Sequence, residues 1–219
     1  MGEKLSAFTP LPHQSEIWSA QKGTLRCTAL RLRDGSVCLY SPVLGLGEEA
    51  EISLAALGDV AYLLAPNHYH HKGLHEYARA FPKAKIVCSD GARPRLEKQT
   101  GLTFEGLKGL KGLLPDGCAI AAPDGLKTGE VWLVVKIGRE RLWIVCDSFK
   151  GPKGGVGHVG GAVEMLGAFP TFGIKDKDAY ALWLEGRIAA DEPTMIAPCH
   201  GSLIRSERLA TDVMSLLDG

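Results

Sequence analysis

An apolar run from Val60 to Ala65 leads directly into Pro66-Asn67-His68-Tyr69-His70-His71-Lys72-Gly73, and a segment of helical periodicity follows. A short apolar run that gives way to turn residues reads as a buried strand, and a strand handing over to a helix is the repeating unit of an α/β sheet. The stretch therefore confines the chain to folds that present loops at the ends of sheet strands. Three imidazoles fall within four residues of it, and His75 follows one helical turn after His71, in a chain with 7 histidines. Neutral imidazole is the commonest side-chain metal ligand. Strand-to-helix junctions are where such sheets bind ligands. The stretch predicts a metal site whose remaining ligands come from elsewhere.

On either side of this stretch the chain alternates strands and helices. Glu16 to Lys22 and Leu25 to Arg33 read as strands, the second with Arg26, Thr28, Arg31 and Arg33 on a wet face. Asp34-Gly35 marks a hairpin into Val37 to Tyr40. Glu48 to Leu57 is helical, with acids in its first turn and Gly58 beyond its end. From Lys72 the apolar residues Leu74, Tyr77, Ala78 and Phe81 share one helix face until Pro82. Lys85 to Cys88 is a strand, a helix follows near Arg95 to Thr100, and Gly101 to Gly117 reads as irregular. Strands resume at Cys118 to Ala122, Val131 to Ile137 and Arg141 to Cys146, the last two joined by a Gly138-Arg139-Glu140 turn. A Gly-rich loop then runs from Ser148 to about Thr171; its position after Asp147 suits a lid, with Lys150 and Lys153 placed to attract an anion and His158 to shuttle protons. Lys177 to Ala190 is helical, Thr194 to Ala197 is a strand ending in Pro198-Cys199-His200-Gly201, and Ser206 to Leu217 is a last helix. Each half thus begins with strands, which predicts a two-sheet α/β sandwich with helices outside.

The balance of 25 basic and 25 acidic residues argues against nucleic acid or an anionic membrane surface as partner. No apolar stretch has the length of a membrane span, and the N-terminal residues lack a signal-peptide pattern, so the expected location is cytoplasmic. A small-molecule substrate is the expected partner, and a homodimer is compatible with the sequence. The 6 cysteines contain no C-x-x-C pair and read as buried free thiols. Cys199 adjoins His200, but adjacent residues seldom face each other productively as a thiol–imidazole pair.

A histidine cluster after one strand, an Asp ending a later strand and a Pro-x-His-Gly ending a third together resemble the metallo-β-lactamase superfamily. The resemblance spans the whole chain. It implies one domain over residues 1–219 with the four-layer αββα sandwich of that superfamily. The usual motif, His-x-His-x-Asp-His followed by x-Gly, is degenerate here. Anchored on His71-Lys72-Gly73, it places Pro66 at the first His, His68 at the second, His70 at the Asp and His71 at the last His. Leu126, in Gly125-Leu126-Lys127-Thr128-Gly129, falls where a further His is usual, whereas Asp147 and His200 match the bridging carboxylate and the last ligand. The pattern also resembles a branch of the superfamily whose function is unknown, so it implies fold rather than substrate.

By this resemblance, one divalent metal ion is expected, held by His71, Asp147 and His200 with His70 as fourth ligand and His68 as a further candidate. Asn67 is expected to brace the loop, and Asp147 and His70 to serve catalysis. Imidazole and carboxylate suit zinc best, with iron or manganese also compatible. The implied activity is hydrolysis of an ester, thioester, lactone or phosphoester by metal-bound water. Two other functions fit the same residues: a binding protein that keeps the fold with an inactive site, and a non-haem iron oxygenase or redox protein. His75 is expected on a helix surface.

Overall fold

A computed structural model of the protein describes residues 2–137, 140–155 and 157–217. The first sheet has six strands in chain order: β1 (Thr9–Pro10), β2 (Ile17–Lys22), β3 (Leu25–Arg31), β4 (Val37–Tyr40), β5 (Val60–Leu64) and β6 (Lys85–Val87). The first four pair antiparallel, whereas β4, β5 and β6 run parallel. The parallel steps need crossovers, and helices α1 (Glu48–Ala55) and α2 (Leu74–Ala80) provide them. After β6 come α3 (Arg93–Thr100), closed by Gly101 in the left-handed conformation at φ 68°, and α4 (Lys108–Leu113).

The second sheet contains β7 (Cys118–Ala121), β8 (Trp132–Ile137), β9 (Glu140–Val145), β10 (Val159–Gly160), β11 (Met195–Pro198) and β12 (Leu203–Arg205), in the order β10-β12-β11-β9-β8-β7. Helix α5 (Phe169–Phe172) and the long α6 (Lys177–Asp191) precede β11, and α7 (Leu209–Ser215) closes the chain. Asp176 caps α6 by accepting a hydrogen bond from the Ala179 N–H at 3.0 Å.

Side-chain alternation along the strands divides the interior into three apolar layers. On β9, Leu142 and Ile144, continued by Cys146, face the first sheet; Trp143 and Val145 face the helices. Between the sheets these residues meet Leu30, Cys38, Tyr40 and Leu64. Outside the first sheet, Ala50 and Leu54 of α1, Tyr77 of α2 and Leu96 of α3 cover Ala29, Leu39 and Leu63. Outside the second, Tyr180 and Leu184 of α6 and Val213 of α7 cover Trp132 and Ile196. Each buried Leu, Ile or Val contributes roughly 1.5–3 kcal/mol, and three such layers fix the αββα order.

The expected sandwich is therefore the observed one, with local differences. The segment read as irregular contains α4, formed because Leu110 can be buried between the sheets' ends. The loop after Asp147 holds β10 and α5, and β12 lies between His200 and the last helix. The wet face expected on β3 is wet only toward its end: Arg26 is 1% and Thr28 2% exposed, whereas Arg31 is half-buried and Arg33 exposed. The Asp34-Gly35 turn forms, with Gly35 at φ 83° and Ser36 N–H donating to Asp34 Oδ1. Most of the expected Gly138-Arg139-Glu140 turn lies outside the described residues, but β8 and β9 pair antiparallel on either side of it. All six cysteines are free, and five of them are buried. Among the described residues, no helix is long and apolar enough to cross a membrane.

Candidate metal centre

Three strand ends converge at one edge of the sandwich. Strand β11 pairs in parallel with β9, aligning Pro198 with Val145, so the residues following each strand emerge side by side. This places His200 beside Asp147. The third group comes from the other sheet, where β5 ends at Leu64 and the chain turns through Pro66 and Asn67.

Asn67, fully buried, makes that turn. Its Oδ1 accepts from the N–H groups of Tyr69 (2.8 Å) and His70 (3.1 Å), and its Nδ2 donates to Asp147 Oδ2 at 2.7 Å. The side chain closes a local turn and ties it to the second sheet at once. As a result, His70 Nε2 lies 3.0 Å from Asp147 Oδ1 and 3.3 Å from His200 Nε2, while His200 Nε2 is 3.0 Å from the same Asp147 oxygen. The other ring nitrogen of His70, Nδ1, is 2.8 Å from Ser41 Oγ, at the end of β4.

Two buried charged residues hold these strand ends. Glu130 accepts from the backbone N–H groups of Cys146, Asp147 and Ser148, from Ser148 Oγ and from Trp132 Nε1, at 2.8–3.3 Å. It thereby fixes the turn that carries Asp147. Arg26 donates to the carbonyls of Pro198 and Gly201 and to Ser19 Oγ, and Gln21 Nε2 also donates to Gly201 O, so the His200 turn is held from the first sheet. Neither residue announces itself in the sequence. Glu130 is a lone acid before an apolar run, and the alternation of β3 assigns Arg26 to solvent.

Of the expected ligands, His70, Asp147 and His200 are brought together; His71 and His68 are not. The Asn67 turn aims His70 at Asp147, and the next residue necessarily points elsewhere. His71 Nδ1 lies 3.2 Å from His68 O, and its carbonyl accepts from Leu74 N–H at the start of α2. His68 Nε2 lies 3.1 Å from an Arg95 guanidinium nitrogen. His75 is exposed on α2, and His158 Nδ1 lies 2.8 Å from Ser202 Oγ. Pro66 is buried, and Leu126 packs against the layer beneath α6. Lys150 is paired with Glu164 at 2.7 Å.

The cluster is strongly polarised. Burial alone would raise the Asp147 pKa, but hydrogen bonds from His200, His70 and Asn67 outweigh it and hold the carboxylate ionised. Burial opposes protonation of His70, whereas its contacts with Asp147 and Cys199 raise it to about 10. Burial and the nearby Asp147 charge push Glu130 up to about 7. His68 is driven down to about 4 by burial and by Arg95.

No protein-family model and no curated protein matches the sequence. Solved structures do match it. A metallo-β-lactamase from Pontibacter korlensis superimposes with a TM-score of 0.63 at 13% identity, covering 99% of this chain and 100% of that one. A metallo-β-lactamase from Hirschia baltica gives 0.66 at 10% identity, with 98% of each chain covered. The chain has the metallo-β-lactamase fold.

Within this fold, the three side chains lie at the base of a cleft of about 590 Å³. Leu25, Pro42, Leu44, Tyr69, Leu166 and Phe172 form most of its apolar wall. Lys22 and Lys72 line it too, and Lys22 Nζ donates to Leu44 O. The donor set fits a metal ion. Ligands ~2.0–2.1 Å from a tetrahedral centre stand ~3.3–3.4 Å from one another, and the nitrogen and oxygen atoms here are 3.0–3.3 Å apart. His70, Asp147 and His200 can hold a metal ion.

Proposed function

We propose that the protein is a metal-dependent hydrolase in which His70, Asp147 and His200 hold one divalent ion, zinc in the first instance. One observation carries this reading: two imidazole nitrogens and one carboxylate oxygen, from three separate strand ends, converge within 3.3 Å at the base of an apolar cleft. A divalent ion held there supplies Lewis acidity, bringing the pKa of a coordinated water toward ~7 and polarising the bond under attack.

The protein's own residues do the rest. Asp147 shares one oxygen between the two imidazoles, while its other oxygen is held by Asn67, so both rings are oriented toward one point. Ser41 orients the His70 ring through Nδ1, so that Nε2 is the nitrogen facing Asp147 and His200. The side chains are 4–21% exposed, enough to meet a substrate from the cleft and too little for bulk water to screen them. The apolar wall suits an ester, thioester, lactone or phosphoester with an apolar body. Lys72 is placed to meet an anionic group on it.

The test is elemental analysis of untagged protein together with a hydrolysis screen over those four bond types. At least one zinc per chain is expected, with activity abolished by chelation and restored by zinc. Activity retained by the fully metal-free protein would refute the proposal.

A second reading, a non-enzymatic binding protein, draws on Pro66, Leu126 and His68. They occupy positions where the resemblance puts ligands of another metal, and His68 is engaged by Arg95. Metal bound at His70, Asp147 and His200 with no hydrolysis of any screened substrate would favour it.

A further inference from the structure

The cluster continues inward. Cys146 and Cys199 directly follow the last paired residues of β9 and β11, and Cys199 N–H donates to Val145 O at 2.9 Å. Both side chains belong to the apolar layer between the sheets and are almost fully buried, at 0% and 2% exposure. Their sulfurs and a His70 ring nitrogen all lie within 4.8 Å of one another. Among the described residues, no other pair of cysteines shares a histidine in this way.

We propose that His70, Cys146 and Cys199 form a second ligand set, one that takes a thiophilic cation such as zinc(II) or copper(I). The proposal rests on the hydrolase reading only in sharing His70, whose ring would give one nitrogen to each ion, losing its ring proton when both are bound. The donors decide the class of ion: two sulfurs and an imidazole are a soft set, whereas two imidazoles and a carboxylate are a harder one. Charge supports the assignment. With both sulfurs as thiolates and the imidazole neutral, a divalent ion leaves a neutral complex, which a buried apolar layer tolerates far better than a net charge. The Asp147 set, with one carboxylate, leaves a net positive charge with the same ion and accordingly opens to the cleft. Ser41 and Asn67 border both sets: Ser41 Oγ lies at His70 Nδ1, and Asn67 Nδ2 is 3.4 Å from Cys146 Sγ.

The measurement is X-ray absorption on the wild-type protein, reduced, stripped with a chelator and reloaded with two equivalents of zinc. A sulfur shell near ~2.3 Å is expected beside nitrogen and oxygen at ~2.0–2.2 Å. A nitrogen and oxygen shell alone would overturn the proposal while leaving the hydrolase reading intact. Cobalt(II) gives a parallel readout through its thiolate charge-transfer absorption in the near ultraviolet. That band is expected in wild type and in an Asp147→Asn/His200→Ala double variant. It is expected to vanish in Cys146→Ser/Cys199→Ser, and its persistence there would equally overturn the proposal. If instead the sulfur shell is found but Asp147→Asn/His200→Ala still hydrolyses substrate fully, the hydrolase reading fails and the second ligand set stands.

Discussion

Asn67 donates a 2.7 Å hydrogen bond to Asp147, a residue 80 positions away on the other sheet. The oxygen of its amide organises the turn that presents His70 by accepting from the Tyr69 and His70 N–H groups. One side chain therefore couples the two halves of the metal centre. Asn67→Ala removes both functions: the donor to the carboxylate and the acceptor for two backbone N–H groups. Zinc affinity should fall ~10–100-fold, the range for loss of an outer hydrogen-bond partner of a ligand. The protein should lose ~1–3 kcal/mol of stability from the unpaired buried groups. A competition titration with a chelating dye checks the first value, and unchanged affinity would count against the coupling.

The geometry separates two neighbouring histidines. His70 faces Asp147 and His200, while His71 bonds within its own loop. His70→Ala should lower metal content to near zero at micromolar protein, because both ligand sets use that ring, whereas His200→Ala should remove the ion held with Asp147, a larger loss at that set than in Asn67→Ala. His71→Ala should leave metal content within error of wild type. Zinc per chain by elemental analysis decides the matter; loss of metal in His71→Ala alone would restore the assignment expected from the sequence.

Glu130 should be the residue whose loss the fold feels most. Its carboxylate is buried and accepts six hydrogen bonds, three of them from the backbone that carries Asp147 and one from Asn67 Nδ2. Glu130→Ala strands these donors in a dry interior, at ~1–3 kcal/mol for each group that finds no substitute. The expected loss is at least ~3 kcal/mol, read as a lower urea midpoint with an unchanged slope. Glu130→Gln keeps the shape but turns one acceptor into a donor facing other donors, so it should recover only part of the loss.

The sandwich was legible because its signals are local and periodic. The apolar run before Pro66, the Asp34-Gly35 turn and the face of Leu74, Tyr77 and Phe81 each declare an element without help from the rest of the chain. The location of the site was legible for the same reason, since Asp147 and His200 end strands. What the sequence hid was direction. His70 and His71 differ by a single step in a tight turn, and only the Asn67 contacts decide which one faces inward. Arg26 was hidden differently. Alternation in β3 places it opposite Cys27, and a sheet covered on both faces buries it just the same. Its cost is met by carbonyls of residues 198 and 201, partners more than 170 positions away.

Gly201 links that buried arginine to the metal centre. It follows His200, sits at φ 82° and offers its carbonyl to both Arg26 and Gln21. A Cβ at this position would lie 2.2 Å from Gly151 O, a contact with backbone that no rotamer change relieves. Gly201→Ala must therefore shift the turn, and the His200 imidazole moves with it. The left-handed conformation alone costs a non-glycine residue ~1–3 kcal/mol, and the clash adds to this. The expected outcome is a destabilisation of at least ~2 kcal/mol together with reduced zinc content. Gly155→Ala serves as the control, because a Cβ there meets nothing within 4 Å and the residue lies in the glycine-rich segment that Gly201 packs against at Gly151 and Pro152. It should leave both the urea midpoint and the zinc content unchanged. Equal effects from the two substitutions would show that the loop tolerates no added bulk anywhere, and that the Gly201 carbonyl has no particular role in placing His200.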